Sequence, residues 1–273
     1  MKLKYLGTAA AEGFPAVYCN CQYCEEARRL GGKNIRTRSQ AMINETLLLD
    51  LPADTYYHFL QQGIRGDRIQ YLFVTHSHSD HFYPGELKIR MAPYAHKMEV
   101  PILQVWLNPG AYQKWEPIAK MCGGMEVHEI RPFETVTLPE YEVTALPARH
   151  YAGDDALFYL VRSEGRTLCY AHDTGYFYEG VFEYLKEQKI RFDLISLDCT
   201  NIDIPIDDTG SHMGLDNIGR LLERLTRDGV VDENTKKIIN HFSHNGNPLH
   251  HVLEKRVEGL GYEVSYDGME AEW

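Results

Sequence analysis

The chain has 273 residues, with 28 Lys and Arg against 39 Asp and Glu and a formal charge of -11 at neutral pH, a balance that repels a long polyanion and argues against general nucleic-acid binding. Its length suffices to bury a full core, and no stretch approaches the roughly 18 consecutive apolar residues that a membrane span needs. The start, Met1-Lys2-Leu3-Lys4-Tyr5-Leu6-Gly7-Thr8, breaks into Glu12 and Pro15 where a secretory signal would need a continuous apolar run, so export is not expected and a reducing cytoplasm fits.

In chain order, apolar runs predict strands over 3–6, 46–51, 69–75, 101–107, 127–130, 136–146, 156–162, 167–171, 192–197, 238–240 and 262–266. Amphipathic spacing predicts helices over 23–30, 53–62, 85–91, 112–121, 180–188, 215–227 and 249–259. The break Ser163-Glu164-Gly165-Arg166 between two apolar runs marks a hairpin turn. With no repeat, low-complexity tract or linker to divide the chain, one domain over 1–273 is expected. The pattern is neither all-β nor a strict parallel repeat, which fits a two-sheet sandwich flanked by helices, an α/β (α+β) class. Continuous apolar strands such as Leu194-Ile195-Ser196-Leu197 belong to sheets covered on both faces.

Directly after the run 69–74 comes Thr75-His76-Ser77-His78-Ser79-Asp80-His81. Imidazole and carboxylate suit zinc, manganese or iron, and a strand end holds them in place. Residues two apart in an extended segment point the same way, so His76 and His78 can grip one ion while Asp80 and His81, past the bend, turn toward a second. Four later segments also end an apolar run on a ligand-type residue: Arg149-His150, His172-Asp173-Thr174-Gly175, Asp198-Cys199-Thr200 and His241-Phe242-Ser243-His244. His172, beside Asp173, should point to the opposite side of its strand. Of the six cysteines, three crowd into Cys19-Asn20-Cys21-Gln22-Tyr23-Cys24, a spacing better suited to a metal than to pairing within the cluster. Cys122, Cys169 and Cys199 lie singly in apolar contexts and read as core residues.

The order His-x-His-x-Asp-His, lone His, Asp-Thr-Gly, late His resembles the metallo-β-lactamase superfamily over nearly the whole chain. The resemblance implies an αββα four-layer sandwich with a dinuclear site at one edge of the sheets. Carried over by position, His76, His78 and His150 would take the first metal, Asp80, His81 and His241 the second, and Asp173 would bridge them. The cysteine cluster, the pair His241-x-x-His244 and the segment 262–270 further resemble the PhnP-type (phosphoribosyl cyclic phosphodiesterase-like) enzymes. That likeness implies a structural zinc on Cys19, Cys21, Cys24 and His244, a closed tetrahedral shell with no position for water. Such a site would pin the N-terminal loop to the segment carrying His241.

The activity so implied is hydrolysis of a small phosphodiester, the cyclic phosphate of a phosphorylated ribose being one candidate, by a hydroxide generated from water between two ions of zinc, manganese or iron. His212, in the Gly-bounded loop Thr209-Gly210-Ser211-His212-Met213-Gly214, matches the segment in which the PhnP family places its general-acid histidine, and with Asp80 it makes the catalytic pair. Asp198 would stand behind a ligand imidazole or cap the Cys199-Thr200 turn. Arg149 could meet a substrate phosphate, although side chains adjacent in a strand diverge. The chain departs from the family pattern at Tyr151-Ala152-Gly153-Asp154-Asp155, where two acids beside the pocket would disfavour a second phosphate, and at Asn201, where the family has a histidine. Other readings are a hydrolase related to the pyrroloquinoline quinone B protein, which shares the cysteine cluster, and a tRNA 3′ endonuclease, which the acidic charge disfavours. A di-iron oxygen reductase would favour a carboxylate where His78 stands and would carry a flavin domain; a non-catalytic scaffold would have lost ligands. The expected partner is a small-molecule phosphodiester, with no stable nucleic acid and no membrane; a homodimer is left open.

Overall fold

The computed structural model describes residues 1–151 and 153–273. Its strands are β1 (Lys2–Gly7), β2 (Gln40–Ile43), β3 (Leu47–Leu49), β4 (Tyr71–Val74), β5 (Leu103–Leu107), β6 (Met125–Glu129), β7 (Thr135–Thr137), β8 (Glu142–Pro147), β9 (Leu157–Ser163), β10 (Arg166–Ala171), β11 (Leu194–Asp198), β12 (Lys236–Asn240), β13 (Glu263–Val264) and β14 (Glu270–Glu272). They pair into two seven-stranded sheets, ordered β14-β1-β2-β3-β4-β5-β6 and β13-β12-β11-β10-β9-β8-β7. The helices are α1 (Gln22–Leu30), α2 (Thr55–Gln62), α3 (Pro109–Trp115), α4 (Glu179–Glu187), α5 (Leu215–Arg227) and α6 (His250–Arg256).

The sheets stack face to face because alternate side chains of each strand point inward. Leu3, Tyr5, Ile43, Leu49 and Phe73 from one sheet meet Val143, Tyr159, Val161, Leu168 and Tyr170 from the other. The intervening residues face outward and are covered in turn. Leu6, Leu48, Leu72 and Val105 lie with Ala111 and Trp115 of α3. On the other side Leu160, Cys169, Ile195 and Ile239 lie under α4 and α5. Burial on both faces explains why the strands read as unbroken apolar runs. In α5 the residues Ile218, Leu221, Leu222 and Leu225 recur at helical spacing and are all buried, each contributing about 1.5–3 kcal/mol. Among the described residues no helix is long and apolar enough to cross a membrane.

Several predicted elements change. The run 136–146 is not one strand: Leu138 N–H donates to the Tyr141 carbonyl and turns the chain into the antiparallel pair β7–β8. The segment predicted as a helix over 85–91 winds as a 3-10 turn over Pro84–Arg90, and the helix predicted over 112–121 is α3 followed by 3-10 turns from Glu116, with Pro117 at its start. Two strands escape a hydropathy reading. β2 is joined to β3 through Asn44, Glu45 and Thr46, a tight hairpin in which Asn44 and Glu45 both take positive φ. β14 alternates Glu270, Ala271 and Glu272, a charged edge whose one apolar residue faces the core. The hairpin at Ser163-Glu164-Gly165-Arg166 pairs β9 with β10, Ser163 opposite Arg166.

β3 to β6 are mutually parallel, as are β10 to β13. Their carboxyl ends therefore open along an edge, where the ladder stops and side chains converge.

Candidate metal centre

Every ligand-type residue of the histidine-rich pattern lies just past the end of a strand, all but His150 past one of these parallel strands. His76, His78, Asp80 and His81 follow β4, His150 follows β8, Asp173 follows β10 and His241 follows β12. Asp173 and His241 both have left-handed backbone, φ 54° and 64°, and so does Asp50 after β3, φ 66°. This conformation costs roughly 1–2 kcal/mol for a residue with a Cβ, and Asp and His are among the few that adopt it. At each of the three positions the chain leaves its strand by a sharp turn that swings the side chain across the sheet edge.

The side chains gather in two groups that share Asp173. His76, His78, His150 and Asp173 bring one ligand atom each within 4.8 Å of one another, and Asp80, His81, Asp173 and His241 do the same. Asp173 Oδ2 lies 3.1 Å from His76 Nε2 and 3.1 Å from His81 Nε2, while its Oδ1 lies 3.2 Å from His150 Nδ1. His78 Nδ1 and His150 Nε2 stand 3.1 Å apart, and His81 Nε2 and His241 Nε2 3.3 Å apart. These atoms face one another without pairing well: His76 Nε2 and Asp173 Oδ1 are buried and have no hydrogen-bond partner. Buried polar atoms are seldom orphaned, and nitrogen and oxygen donors aimed at one point are the arrangement a divalent ion satisfies. The residues fit a pair of ions.

Behind the ligands stands a layer that sequence reasoning missed in part. Asp50, fully buried, accepts from His81 Nδ1 at 2.7 Å and from the Thr75 amide and hydroxyl at 2.8 and 2.9 Å. It fixes which ring nitrogen of His81 faces the cluster, as a carboxylate behind a ligand histidine does. Its only signal was an acid interrupting the apolar stretch Leu49-Asp50-Leu51. Thr200 supports His241, its Oγ1 lying 2.8 Å from His241 Nδ1.

Asp198 lies against two imidazoles and is saturated. Its Oδ1 accepts from the amides of Thr200 and Met213, each at 3.0 Å, and its Oδ2 lies 3.2 Å from His212 Nδ1 and 3.4 Å from His241 Nδ1. Asp198 can also be grouped with Asp173, His212 and His241 as a ligand set. Both its oxygens are already committed to amides, a hydroxyl and imidazoles. His212 Nδ1 is also 3.1 Å from Asp173 Oδ1.

Electrostatics separates His212 from its neighbours. Burial lowers His150 to about 4, so this imidazole is neutral and ready to ligate. Burial would lower His212 too, but the carboxylates of Asp198 and Asp173 outweigh it and carry it up to about 9. Asp198 in turn is held below the usual carboxylate range, burial opposing and His212 and His241 prevailing. The two imidazoles of one site are thus pushed in opposite directions, His150 toward the neutral form and His212 toward the charged one.

The second cluster lies apart. The sulfurs of Cys19, Cys21 and Cys24 and a ring nitrogen of His244 lie within 4.8 Å of one another. Cys21 Sγ and Cys24 Sγ are each 3.7 Å from His244 Nδ1, and all three cysteines are unbridged. Cys21 is brought down to about 6, the His244 contact overcoming burial. The loop before it is stitched to the segment after β12: Ala10 N–H donates to the Phe242 carbonyl, Phe242 N–H to the Thr8 carbonyl, and Glu12 accepts from Ser243 Oγ at 2.7 Å.

Other sequence-level candidates resolve differently. His172 turns into the space between the sheets, where its Nε2 pairs with Ser196 Oγ at 2.6 Å and Asn240 Nδ2 donates to its Nδ1 at 3.1 Å. Arg149 bends away from the ligands, donating from Nε to the Tyr176 carbonyl at 2.9 Å and stacking on Tyr178. Of the two acids read as lying beside the pocket, Asp154 is buried and accepts from the Ser77 amide at 2.9 Å, bracing the loop between His76 and His78; Ala152 of that segment lies outside the described residues. Asn201 lies beneath the His212 loop, its amide donating to the Met213 carbonyl.

The family described as "Beta-lactamase superfamily domain" matches residues 51–239. Coenzyme PQQ synthesis protein B of Klebsiella pneumoniae (strain 342) is 28% identical over 323 aligned residues, covering 98% of this chain and 97% of its own. Among solved structures, a diphosphatase of the PhnP family aligns with a TM-score of 0.76 at 19% identity, over 100% of this chain and 96% of its own. Zn2+-bound PqqB from Methylobacterium extorquens aligns with a TM-score of 0.76 at 18% identity, over 100% of both chains. At these identities the structures establish the shared fold.

Proposed function

Since the chain belongs to the β-lactamase superfamily, a fold of metal-dependent hydrolases, we propose that it hydrolyses a small phosphodiester at the edge of its sheets, with His212 as the general acid. The observation that carries this reading is the separation of roles within the cluster. Seven side chains point donors at each other, while His212, tied to a saturated carboxylate at 3.2 Å and raised to about 9, stands beside them as a charged donor. An ester whose leaving group is a poor one needs such a donor.

His76, His78 and His150 would hold one ion, Asp80, His81 and His241 the other, with Asp173 shared; Cys19, Cys21, Cys24 and His244 would hold a structural zinc. Bound in the paired site, two divalent ions supply charge neutralisation for phosphoryl oxygens and a nucleophile from water near neutral pH. The protein's own part is to orient and to protonate. Asp50 and Thr75 lock His81, Thr200 locks His241, and Asp198 aims the His212 ring while keeping it protonated. Asp198 stabilises the imidazolium before the transfer; departure of the alkoxide then takes its proton, leaving His212 neutral until solvent returns one. The overall negative charge favours a small ester over a polynucleotide.

A second reading, a hydrolase of cofactor biosynthesis, is favoured by one observation, the end-to-end match to coenzyme PQQ synthesis protein B. Turnover of bis(p-nitrophenyl) phosphate and of an alkyl phosphodiester, with manganese or zinc added, separates the two. Phosphodiester cleavage by the metal-loaded protein is expected; none with either ion would overturn the first reading. His212→Ala should retain metal and lose about 10²–10⁴-fold on the alkyl ester while losing far less on nitrophenolate. Equal losses would remove the acid role.

A further inference from the structure

The loop 206–214 brings His212 to the cluster, and its two ends are anchored well. At its start Asn217 Nδ2 donates to the Ile206 carbonyl at 3.2 Å and to Asp208 Oδ1 at 2.9 Å. At its end Met213 donates to Asp198 and accepts from the Asn201 amide, both at 3.0 Å. The middle, Gly210-Ser211, is held within the loop by the Gly210 N–H donating to the Asp207 carbonyl at 3.1 Å, and it meets the cluster where the Ser211 carbonyl lies 3.5 Å from His150 Nδ1. What it rests on is a glycine. The α-carbon of Gly175 presses so close to Gly210 that a Cβ added there would overlap the Gly210 carbonyl oxygen and come within 3.2 Å of Arg149 Cδ. Gly175 is buried, and its backbone is not left-handed. The need for glycine is therefore one of space.

Gly175 belongs to the same turn as Asp173. Thr174 Oγ1 accepts from the Arg149 amide at 2.9 Å, and the Gly175 amide donates to the Arg149 carbonyl at 2.8 Å, latching the segment that carries His150. One turn thus offers the shared carboxylate, holds the His150 strand end by two hydrogen bonds and gives the His212 loop its seat.

We propose that Gly175 is a positioning residue for His212: its bare α-carbon sets how closely the acid's loop approaches the ligand cluster. This rests on the reading of His212 as the acid. A Cβ at 175 meets backbone, which cannot rotate away, so the loop must lift by an ångström or so, a misplacement that costs about 10²-fold in a positioned catalytic group. The same loop can be perturbed from its own side. A Cβ at Gly210 would stand 2.5 Å from Ile206 Cγ1, and that contact, unlike the first, is with a side chain that can be shortened.

The test compares Gly175→Ala, Gly210→Ala and Gly210→Ala/Ile206→Ala with His212→Ala, using a p-nitrophenyl and an alkyl phosphodiester, metal content by elemental analysis, and amide exchange over 206–214. Gly175→Ala should keep its metal, lose about tenfold or more on the alkyl ester relative to the nitrophenyl ester, and exchange faster in the loop. Gly210→Ala should show the same selective loss in smaller degree, and shortening Ile206 should restore it. Unchanged leaving-group dependence and unchanged exchange in Gly175→Ala would overturn the proposal. So would metal loss in proportion to activity, since the glycine would then act through Asp173. If Gly175→Ala does not fold, failure of Ile206→Ala to rescue Gly210→Ala counts against it. Should His212→Ala itself show no leaving-group selectivity, the acid reading falls, and faster loop exchange in Gly175→Ala would still separate the packing claim from it.

Discussion

The two ligand clusters are made differently, although both gather imidazoles with anionic side chains. The one at the sheet edge takes its members from strand ends scattered across 76–241, several of them braced from behind: His81 by Asp50, His241 by Thr200 and the loop between His76 and His78 by Asp154. The cysteine cluster takes Cys19 and Cys21 from one short loop, Cys24 from the first turn of α1 that follows it, and His244 from the 3-10 turn after β12. Few other side chains brace its sulfurs, so a metal there would supply the order that Asp50, Thr200 and Asp198 supply at the sheet edge. Geometry given by the fold leaves room for exchange and chemistry; geometry given by a metal ties the metal to folding.

Substitutions sharpen this contrast. Asp173→Ala should have the largest effect, removing the donor common to both groups: turnover should fall more than about 10³-fold and elemental analysis should find the paired ions gone with a thiolate-bound zinc retained. Loss of all metal would show that the clusters are not independent. Cys24→Ser should do the reverse, losing the tightly held zinc and lowering the thermal midpoint by about 10 °C, as several kcal/mol would for a chain of this size; an unchanged midpoint would mean that the loop orders itself. Asp50→Asn should weaken metal binding by about 10–100-fold, with turnover recovered in excess manganese or zinc.

The smallest effect concerns pH. His212 is raised to about 9, so its acid form persists to alkaline pH and the rate should fall as pH rises through that value, or through a somewhat lower one with two cations nearby. The stability that the charged pair contributes follows the same sign: present below the ordinary histidine range, lost as pH rises through about 9. Asp198→Asn takes away the group that raises it, and the alkaline limb of the rate profile should shift to lower pH by about one unit. A limb that stays in place would assign it to another group.

Much of this site is readable in the chain because its ligands cling to strand ends, where a hydropathy run stops on a polar residue. His76, His78, Asp80, His81, His150, Asp173 and His241 all have that context, and the structure draws them together. Asp50 has it too, but as a lone acid between two leucines it carries no chemistry that spacing reveals; only the register of β3 beside β4 brings it to Thr75 and His81. The sandwich was legible from apolar runs, whereas β2 and β14 were not, since one is short and follows a polar loop and the other is mostly acid. For Asp154 the sequence gives the acid's neighbourhood but not its direction, its carboxylate turning to the Ser77 amide.

The left-handed turns at Asp50, Asp173 and His241 bear on any attempt to retune metal preference. At these three places the residue must satisfy two demands, a donor atom and a backbone shape that few side chains accept. Asparagine accepts the bend as aspartate does, though it gives up the charge, whereas glutamate or cysteine would bring suitable donors into a bend they resist. Engineering for a softer or harder ion is therefore better begun at His78 or His150, whose ordinary backbone leaves the side chain as the one variable.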